Sequence, residues 1–303
     1  MFPVIAFPAS KARIQLLDDY HTFTARTQPI TASVPLWLQS RETGNRLAVE
    51  VFGLIDQPFS RVVAALSEPA SVCDFLLLNL NVKSCVHQKN GTDASLKIYV
   101  AGKSYAPPYR SITIEPTHMV TERSTDYLVM ILKAQKGLMG SSDYRVLTQA
   151  APYRGKTLLR LSSTYSGSRV TRLMTQTYLQ TFGHDKVGFT VIDQDAEGAP
   201  LYVKGLQGVI ERGVVRSYFA LQTHLEKEQA EAFEQRIRRW YDMTEIHARQ
   251  LREISREEYF HNKRREYRNQ LRLQEKLGRR IGKTAEASTT TLGQGFNAIL
   301  TAQ

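Results

Sequence analysis

Five short segments of strand length follow one another between residues 96 and 164, and they constrain the fold of this 303-residue chain more than any other feature. Each is rich in apolar or alternating residues and is bounded by Gly, Pro, Asn or Asp, which favour turns. The segments are residues 96–100, 111–114, 127–132, 144–150 and 158–164. Strands joined by such short connections pair antiparallel, so the sequence predicts an antiparallel meander that needs helices to cover its apolar face.

Several helical patterns could provide that cover. A strand that starts at Leu47 closes at Asp56, and Pro58 then suits the first turn of a helix over residues 59–66, which Glu68 and Pro69 end or bend. Residues 170–182 form a second candidate helix, and residues 14–24 a weak one inside an irregular arm. We interpret residues 187–192 as a strand, 193–200 and 205–213 as turns or bulges, and the run from Val214 as a helix.

An apolar stripe marks the C-terminal third. Its members recur at alternating spacings of four and three and are Phe233, Ile237, Trp240, Thr244, His247, Leu251 and Ile254. A stripe with this spacing belongs to a helix that packs on another surface. The surface is either the chain's own sheet or helices, or a second copy of the chain in a homodimeric coiled coil.

The positive charge is concentrated after this stripe. The chain carries a formal net charge of +11, and residues 262–283 alone hold nine Lys or Arg against two Glu. Five of them are candidates for contact with an anionic membrane surface: Lys263, Arg264, Arg265, Arg268 and Arg272. A solvated helix is the plainer alternative, and glutamates just upstream make a nucleic-acid partner the weaker interpretation.

No motif for catalysis is evident in the sequence. The histidines are scattered without a His-Glu-x-x-His run, Gly-x-Ser-x-Gly is absent, and no glycine-rich segment has the spacing of a phosphate loop or dinucleotide site. No apolar run reaches the roughly 18 residues of a membrane-spanning helix. We therefore predict a non-enzymatic protein without metal or cofactor.

The two cysteines, Cys73 and Cys85, leave an alternative open. Two thiols are too few for a structural zinc site, which takes about four ligands. They form either a disulfide, as in an oxidising compartment, or a pair of buried reduced thiols. The chain as it starts favours the cytoplasm, whereas a signal sequence upstream of Met1 would place the protein in the periplasm.

The segment from Gly53 to Phe75 resembles the opening of the START/Bet v 1 superfamily (SRPBCC, helix-grip): a strand ends in an acidic residue and Pro, and a helix leads into a step before Phe75. Val72 stands near the family's aromatic position. Residues 140–146 are similar to a START strand. Residues 81–85, 143–145 and 186–190 resemble motifs of a group of START-like proteobacterial proteins. The resemblance covers about residues 47–225.

The resemblance implies an α+β helix-grip fold, in which a curved antiparallel sheet packs on helices, here with a long basic C-terminal helical extension. The expected organisation is an arm (1–33), a START-like domain (34–225), the basic extension (226–283) and a flexible tail (284–303). The implied function is binding of a hydrophobic, lipid-like ligand by a carrier or sensor. The alternatives are an interaction protein that uses the C-terminal helix for a partner or self-association, and an enzyme of the cyclase or aromatase kind.

Seven residues are candidates for lining such a cavity or orienting a polar head group: Tyr99, Tyr127, Tyr144, Arg145, Tyr165, Glu211 and Arg212. The tyrosines could supply apolar walls with a polar tip. The charged residues could bind a head group. The plainer alternative is that the aromatic residues fill the core and the charged residues form solvent-facing ion pairs.

Overall fold

The fold is described from a computed structural model, which describes residues 10–30, 35–44, 46–136, 142–166, 186–226 and 232–300. The predicted helix at 170–182 lies outside these residues.

A single large antiparallel sheet dominates the structure. Its strands are β1 (Leu36–Thr43), β2 (Arg46–Ile55), β3 (Val82–Asn90), β4 (Asp93–Val100), β5 (Ile112–Ile114), β6 (Thr117–Arg123), β7 (Leu128–Lys136), β8 (Ser142–Tyr153) and β9 (Lys156–Ser166). The spatial order is β1-β2-β9-β8-β7-β6-β4-β3, with β5 paired to β4, and the sheet curls into a half-barrel. The five predicted strands correspond to β4, β5, β7, β8 and β9, so the predicted meander is confirmed.

Seven α-helices, a short 3₁₀ helix (Pro108–Arg110) and a small hairpin complete the described part of the chain. The helices are α1 (Lys11–Thr24), α2 (Phe59–Ser67), α3 (Pro69–Leu78), α4 (Gly205–Glu226), α5 (Ala232–Glu245), α6 (Ala248–Leu251) and α7 (Arg256–Leu300). The hairpin pairs β10 (Val191–Gln194) with β11 (Pro200–Tyr202). Two helices follow β2, seven strands follow them, and a long helix comes after the sheet. This is the helix-grip order, so the predicted α+β fold class is confirmed.

The prediction of a turn or bulge at residues 205–213 was wrong, because these residues form the first turns of α4. Of the glycines there, Gly208 is required by close packing. A Cβ added at Gly208 would lie 3.0 Å from the Val203 carbonyl oxygen and 3.1 Å from the Gly188 nitrogen. The strand predicted at 187–192 is also shorter than expected, because the N–H groups of Phe189 and Thr190 donate to a side chain of α4 instead of a neighbouring strand.

Side chains alternate between two faces of the sheet, and each face has its own cover. The concave face, which includes Val51, Leu128 and Leu159, packs against α2, α3 and α4. The convex face carries Phe52, Tyr127 and Leu158, and α1 covers it with Leu16 and Tyr20. The helical arm predicted at residues 14–24 is therefore a packed element of the fold.

The C-terminal apolar stripe packs within the chain. Ile237 and Trp240 of α5 and Leu251 of α6 are buried in the same core as the sheet. The indole of Trp240 stacks on Tyr259 of α7, with ring centroids 4.9 Å apart. The interpretation that the stripe binds the chain's own helices is thus confirmed, and its buried members are not exposed for a homodimeric coiled coil.

Helix α7 lies along β3, the last strand of the sheet. The side-chain oxygens of Gln270 and Gln274 accept the backbone N–H groups of Cys85 and His87, each at 2.9 Å, and Gln274 Nε2 donates to the His87 carbonyl at 3.0 Å. Gln270 also donates to Asp74 of α3 at 3.2 Å. Two glutamines one helical turn apart thus bond to the free edge of the sheet.

A buried ion cluster fixes the same helix. The carboxylate of Glu266, which is 0% exposed, lies 3.2 Å from Lys83 Nζ and 2.7 Å from Lys263 Nζ. Lys263 Nζ also donates to the carbonyls of Asn79 and Val82, at 2.7 and 2.9 Å. These contacts join α7 to the turn between α3 and β3. Since each charge has lost its water, the cluster depends on all of its members.

Cys73 of α3 and Cys85 of β3 form a disulfide, with Cα atoms 5.0 Å apart. Of the two alternatives that the sequence left open, the structure therefore contains the bond. The disulfide joins α3 to β3, and the buried ion cluster joins the turn between these two elements to α7. Covalent and ionic links therefore hold α3, β3 and α7 together.

Candidate functional site: the concave face of the sheet

The concave face carries a row of apolar side chains that cross the sheet in register. Val51 pairs with Leu161, Leu161 with Thr148, Thr148 with Met130, and Met130 with Val120. Because paired residues of antiparallel strands point to the same side, these side chains form one continuous surface below α4.

Part of this surface is only half-buried. The residues concerned are Val120, Val146 and Leu161 of the sheet and Ile210 and Val214 of α4, all packed against the core cluster. We call these five residues the apolar strip. Apolar groups that stay partly accessible inside a concave face are the usual lining of a site for a small hydrophobic molecule.

Hydroxyl groups lie beside the apolar strip. Thr148 occupies the same row, and Ser163 pairs with both Val146 and Val49. The phenol of Tyr144 lies on the same face of β8, two residues from Val146, and burial raises its pKa. A neutral phenol and two hydroxyls could donate to or accept from a polar group on an otherwise apolar ligand.

Glu211 closes one end of the concave face but is occupied by the protein itself. Its fully buried carboxylate accepts hydrogen bonds from the Phe189 and Thr190 N–H groups, at 2.6 and 3.0 Å, from Thr190 Oγ1 at 2.6 Å and from the Ser40 hydroxyl. Four donors of the described residues satisfy this carboxylate, and none of them is a cation. Glu211 is therefore an anchor for residues 189 and 190, and its role with a head group stays a prediction.

The structure separates most of the other candidate residues. Tyr127 is on the convex face, where Gln149 donates to its hydroxyl. Arg145 is exposed on the side of β8 opposite Tyr144, and Tyr99 points away from Leu96 and Ile98 of the core. These three side chains therefore lie apart from the apolar strip, because a shift of one residue moves a side chain to the other face of a sheet.

Two further candidates have different outcomes. The side chain of Tyr165 lies outside the described residues. Arg212 is two residues from Ile210, and two residues turn an α-helix by about 200°. It therefore faces away from the apolar strip, and its Nη1 donates to the Val187 carbonyl at 3.4 Å.

The basic residues of α7 are also divided. Lys263 is 1% exposed and belongs to the ion cluster, so its amine is enclosed by the protein and separated from the exposed basic residues. The helical period places it on the docked side of α7 with Tyr259, Glu266 and Gln270.

The remaining candidates on α7 stay near the surface. Arg264 makes a two-pronged pair with Glu234, with both distances 2.7 Å. The guanidinium of Arg265 lies 3.7 Å from the ring centre of Tyr105. Arg268 and Arg272 are exposed, so contact with an anionic surface stays a prediction for these residues.

His224 of α4 gives stability a pH dependence that can be measured. Burial, then the positive charges of Arg236 and Arg61, lower its pKa from 6.5 to about 4. The unfolded chain therefore binds a proton before the folded chain does, and stability is lost as the pH falls from 6.5 to 4. The free energy of unfolding can be measured in urea at pH 7 and at pH 4.5. We expect His224→Gln to reduce the difference between these two values by up to about 3 kcal/mol. An unchanged difference between the two pH values would contradict the assignment.

The described residues contain neither a metal-ion site nor a membrane-spanning helix. No three of their His, Cys, Asp and Glu side chains come together in a group that could hold a metal ion. Among their helices, none combines the length and the apolar composition needed to cross a bilayer.

Comparison with known proteins gives structural similarity only. No family model matches the sequence, and no curated protein matches it. A STAR-related lipid transfer protein from Xanthomonas axonopodis aligns over 65% of this chain and 96% of its own, with 9% identity and a TM-score of 0.38. Human StAR-related lipid transfer protein 5 aligns over 57% and 86%, with 11% identity and a TM-score of 0.34. Ara h 8.0201 aligns over 59% of this chain and 97% of its own, with 9% identity and a TM-score of 0.35.

Proposed function

We propose that the concave face binds a hydrophobic, lipid-like molecule and that the protein is a non-enzymatic carrier or sensor of it. The apolar strip carries this proposal, because it brings partly accessible side chains of the sheet and of α4 together inside a helix-grip fold. Burying apolar surface stabilises a complex by roughly 25 cal/mol for each Å² removed from water. A ligand that covered the strip would also leave Thr148, Ser163 and Tyr144 to contact a single polar group.

The experiment is native mass spectrometry of freshly purified protein, followed by organic extraction of whatever it releases. A reproducible extra mass of lipid size would support the proposal and give the ligand class. The bare polypeptide mass, with no shift in melting temperature across a panel of lipids and sterols, would refute it. The same spectra at several protein concentrations report any homodimer.

A substitution that fills the strip should abolish this binding. We expect Val146→Trp to lower the amount of co-purified ligand at least tenfold, because the larger indole would cover the apolar strip that the ligand is proposed to contact. The matched control is Val129→Trp, since Val129 is a half-buried valine on the convex face of the neighbouring strand β7. Extraction of both variants, each checked by circular dichroism, compares them. Equal ligand content in the two would place the ligand elsewhere.

We further propose that the exposed side of α7 contacts an anionic membrane surface. Arg268 and Arg272 flank Leu271, which is 52% exposed, so two cations and an apolar side chain share one surface. We expect the double variant Arg268→Gln/Arg272→Gln to bind anionic vesicles several-fold more weakly in sedimentation. Arg145→Gln/Arg154→Gln removes the same charge from the sheet and should have no effect. Equal losses in both variants would indicate attraction by net charge alone.

A further inference from the structure

Arg212 is a buried cation with few partners. Its side chain is 6% exposed. Among the described residues, its Nε has no hydrogen-bond partner, and its Nη1 makes a 3.4 Å contact to the Val187 carbonyl. No carboxylate of the described residues lies within salt-bridge distance of it. An ion held in this way has lost hydration without gaining an equivalent partner.

Its neighbours on the outer side of α4 are also positive. Arg216, one turn further along, is 4% exposed; its Nη2 donates to the Leu251 carbonyl at 2.7 Å and to Glu253 at 3.0 Å, and its Nε has no partner. Lys186 donates to the Arg252 carbonyl at 2.6 Å. We call Arg212, Arg216 and Lys186 the cationic cluster.

Electrostatic effects show that these charges act on one another. Burial, and then repulsion by Arg216, lower the pKa of Arg212 to about 10. Burial lowers the pKa of Lys186, and the charges of Arg212, Arg216 and Lys103 lower it further while Glu253 opposes them. Only Glu253 among the described carboxylates contacts the cluster, and it contacts Arg216; the carboxylate of Glu211 is turned to residues 187–190.

A surface groove adjoins the cluster. Glu253 lines this groove of about 560 Å³ at the start of α7, together with Tyr241, Arg252 and Ser255. The cluster reaches the groove only through Glu253, which contacts Arg216. The groove lies on the outer side of α4, where Leu251 and Glu253 contact Arg216, and Ile210 of the apolar strip faces away from it.

We propose that the cationic cluster is a binding site for a phosphate group, separate from the apolar strip. A phosphate monoester carries about −1.5 to −2 charge at pH 7, which matches the excess of cations, and its oxygens fit the fork of an arginine. Arg212 binds it with the donors that the protein leaves unused, and Arg216 and Lys186 supply the field. Glu253 opposes the anion and sets its affinity.

The test is calorimetric titration of the full chain with inorganic phosphate at constant ionic strength, and in parallel with a short-chain phosphatidic acid. We expect Arg212→Gln to weaken phosphate binding at least tenfold, and Glu253→Gln to strengthen it several-fold by removing the competing carboxylate. Arg145→Gln, which removes the same charge from an exposed position on β8, should leave the affinity unchanged. Should Arg212→Gln not fold, Arg212→Lys and Glu253→Gln still decide the question, because the first should weaken binding and the second strengthen it.

The outcomes separate the sources of the phosphate and the two sites. Similar affinity for inorganic phosphate and the lipid would support recognition of a free phosphate group. Binding of the lipid alone that Val146→Trp does not reduce would support a lipid head group at the cluster. Loss of that binding in Val146→Trp would refute a separate site. Equal weakening by Arg212→Gln and Arg145→Gln, or equal binding of chloride, would refute the proposal as general charge attraction.

Discussion

Replacing Glu266 with alanine is expected to lower the free energy of unfolding by about 3–5 kcal/mol, because it leaves Lys83 and Lys263 buried without their shared counter-charge. Burial already lowers the pKa of Lys263 to about 8, despite the opposing effect of Glu266. Urea unfolding followed by tryptophan fluorescence is a suitable measurement, because Trp240 of α5 stacks on Tyr259, which lies on the same helix as Glu266.

A matched control for Glu266 exists further along α7. Glu275 pairs with Arg279 one turn away, with both side chains more than half exposed, and Glu275→Ala should change stability by less than about 0.5 kcal/mol. Replacing all three members of the cluster by Met or Leu should be far milder than Glu266→Ala, since no charge would then stay buried. Similar effects of Glu266→Ala and Glu275→Ala would contradict the importance of the cluster.

The second large effect is expected for Gly53→Ala in β2. A Cβ at this position would lie 2.3 Å from a ring carbon of Tyr218, and both residues are deep in the core. Because α4 lies directly on this strand, the ring has little room to move, and we expect a loss of about 3 kcal/mol in unfolding free energy. Thermal and urea unfolding of the variant measure it.

A double-mutant cycle tests the cause of this loss. Tyr218→Leu makes room above β2, so Gly53→Ala should cost much less in that background than in the parent chain. Gly213→Ala is the matched control, because no atom lies within 4 Å of the added Cβ and alanine favours a helix interior; we expect it to stabilise by up to about 1 kcal/mol. Additive effects of Gly53→Ala and Tyr218→Leu would show that the contact between them does not cause the loss.

Much of the order of elements could be predicted from the sequence because local signals were strong, although β1 and β6 were not among the predicted strands. Strands between turn residues, a proline at the start of a helix and a stripe with helical spacing each depend on neighbouring residues. Residues 205–213 were misassigned for the opposite reason. The glycines there resemble a turn locally, and only the approach of Gly188 to Gly208 explains them as part of a packed helix.

The candidate site was harder to predict, because the face on which a side chain lies depends on residues far away in the chain. Tyr127 and Tyr144 look equivalent in sequence, yet the register with neighbouring strands places them on opposite faces. Lys263 looked like its exposed neighbours, and its burial follows from Glu266 together with Lys83, which is 180 residues earlier. The burial of the Glu211 carboxylate depends in the same way on hydrogen bonds from Ser40 and residues 189–190.

The two glutamines of α7 determine where this chain can be truncated without causing aggregation. Gln270 and Gln274 occupy the backbone donors of the terminal strand β3, and a fragment that ends after α4 would present that strand bare to other molecules. Unpaired strand edges recruit further strands from neighbouring chains. A fragment ending at residue 225 should therefore aggregate, and preparations for crystallisation should retain the helix to residue 274 at least.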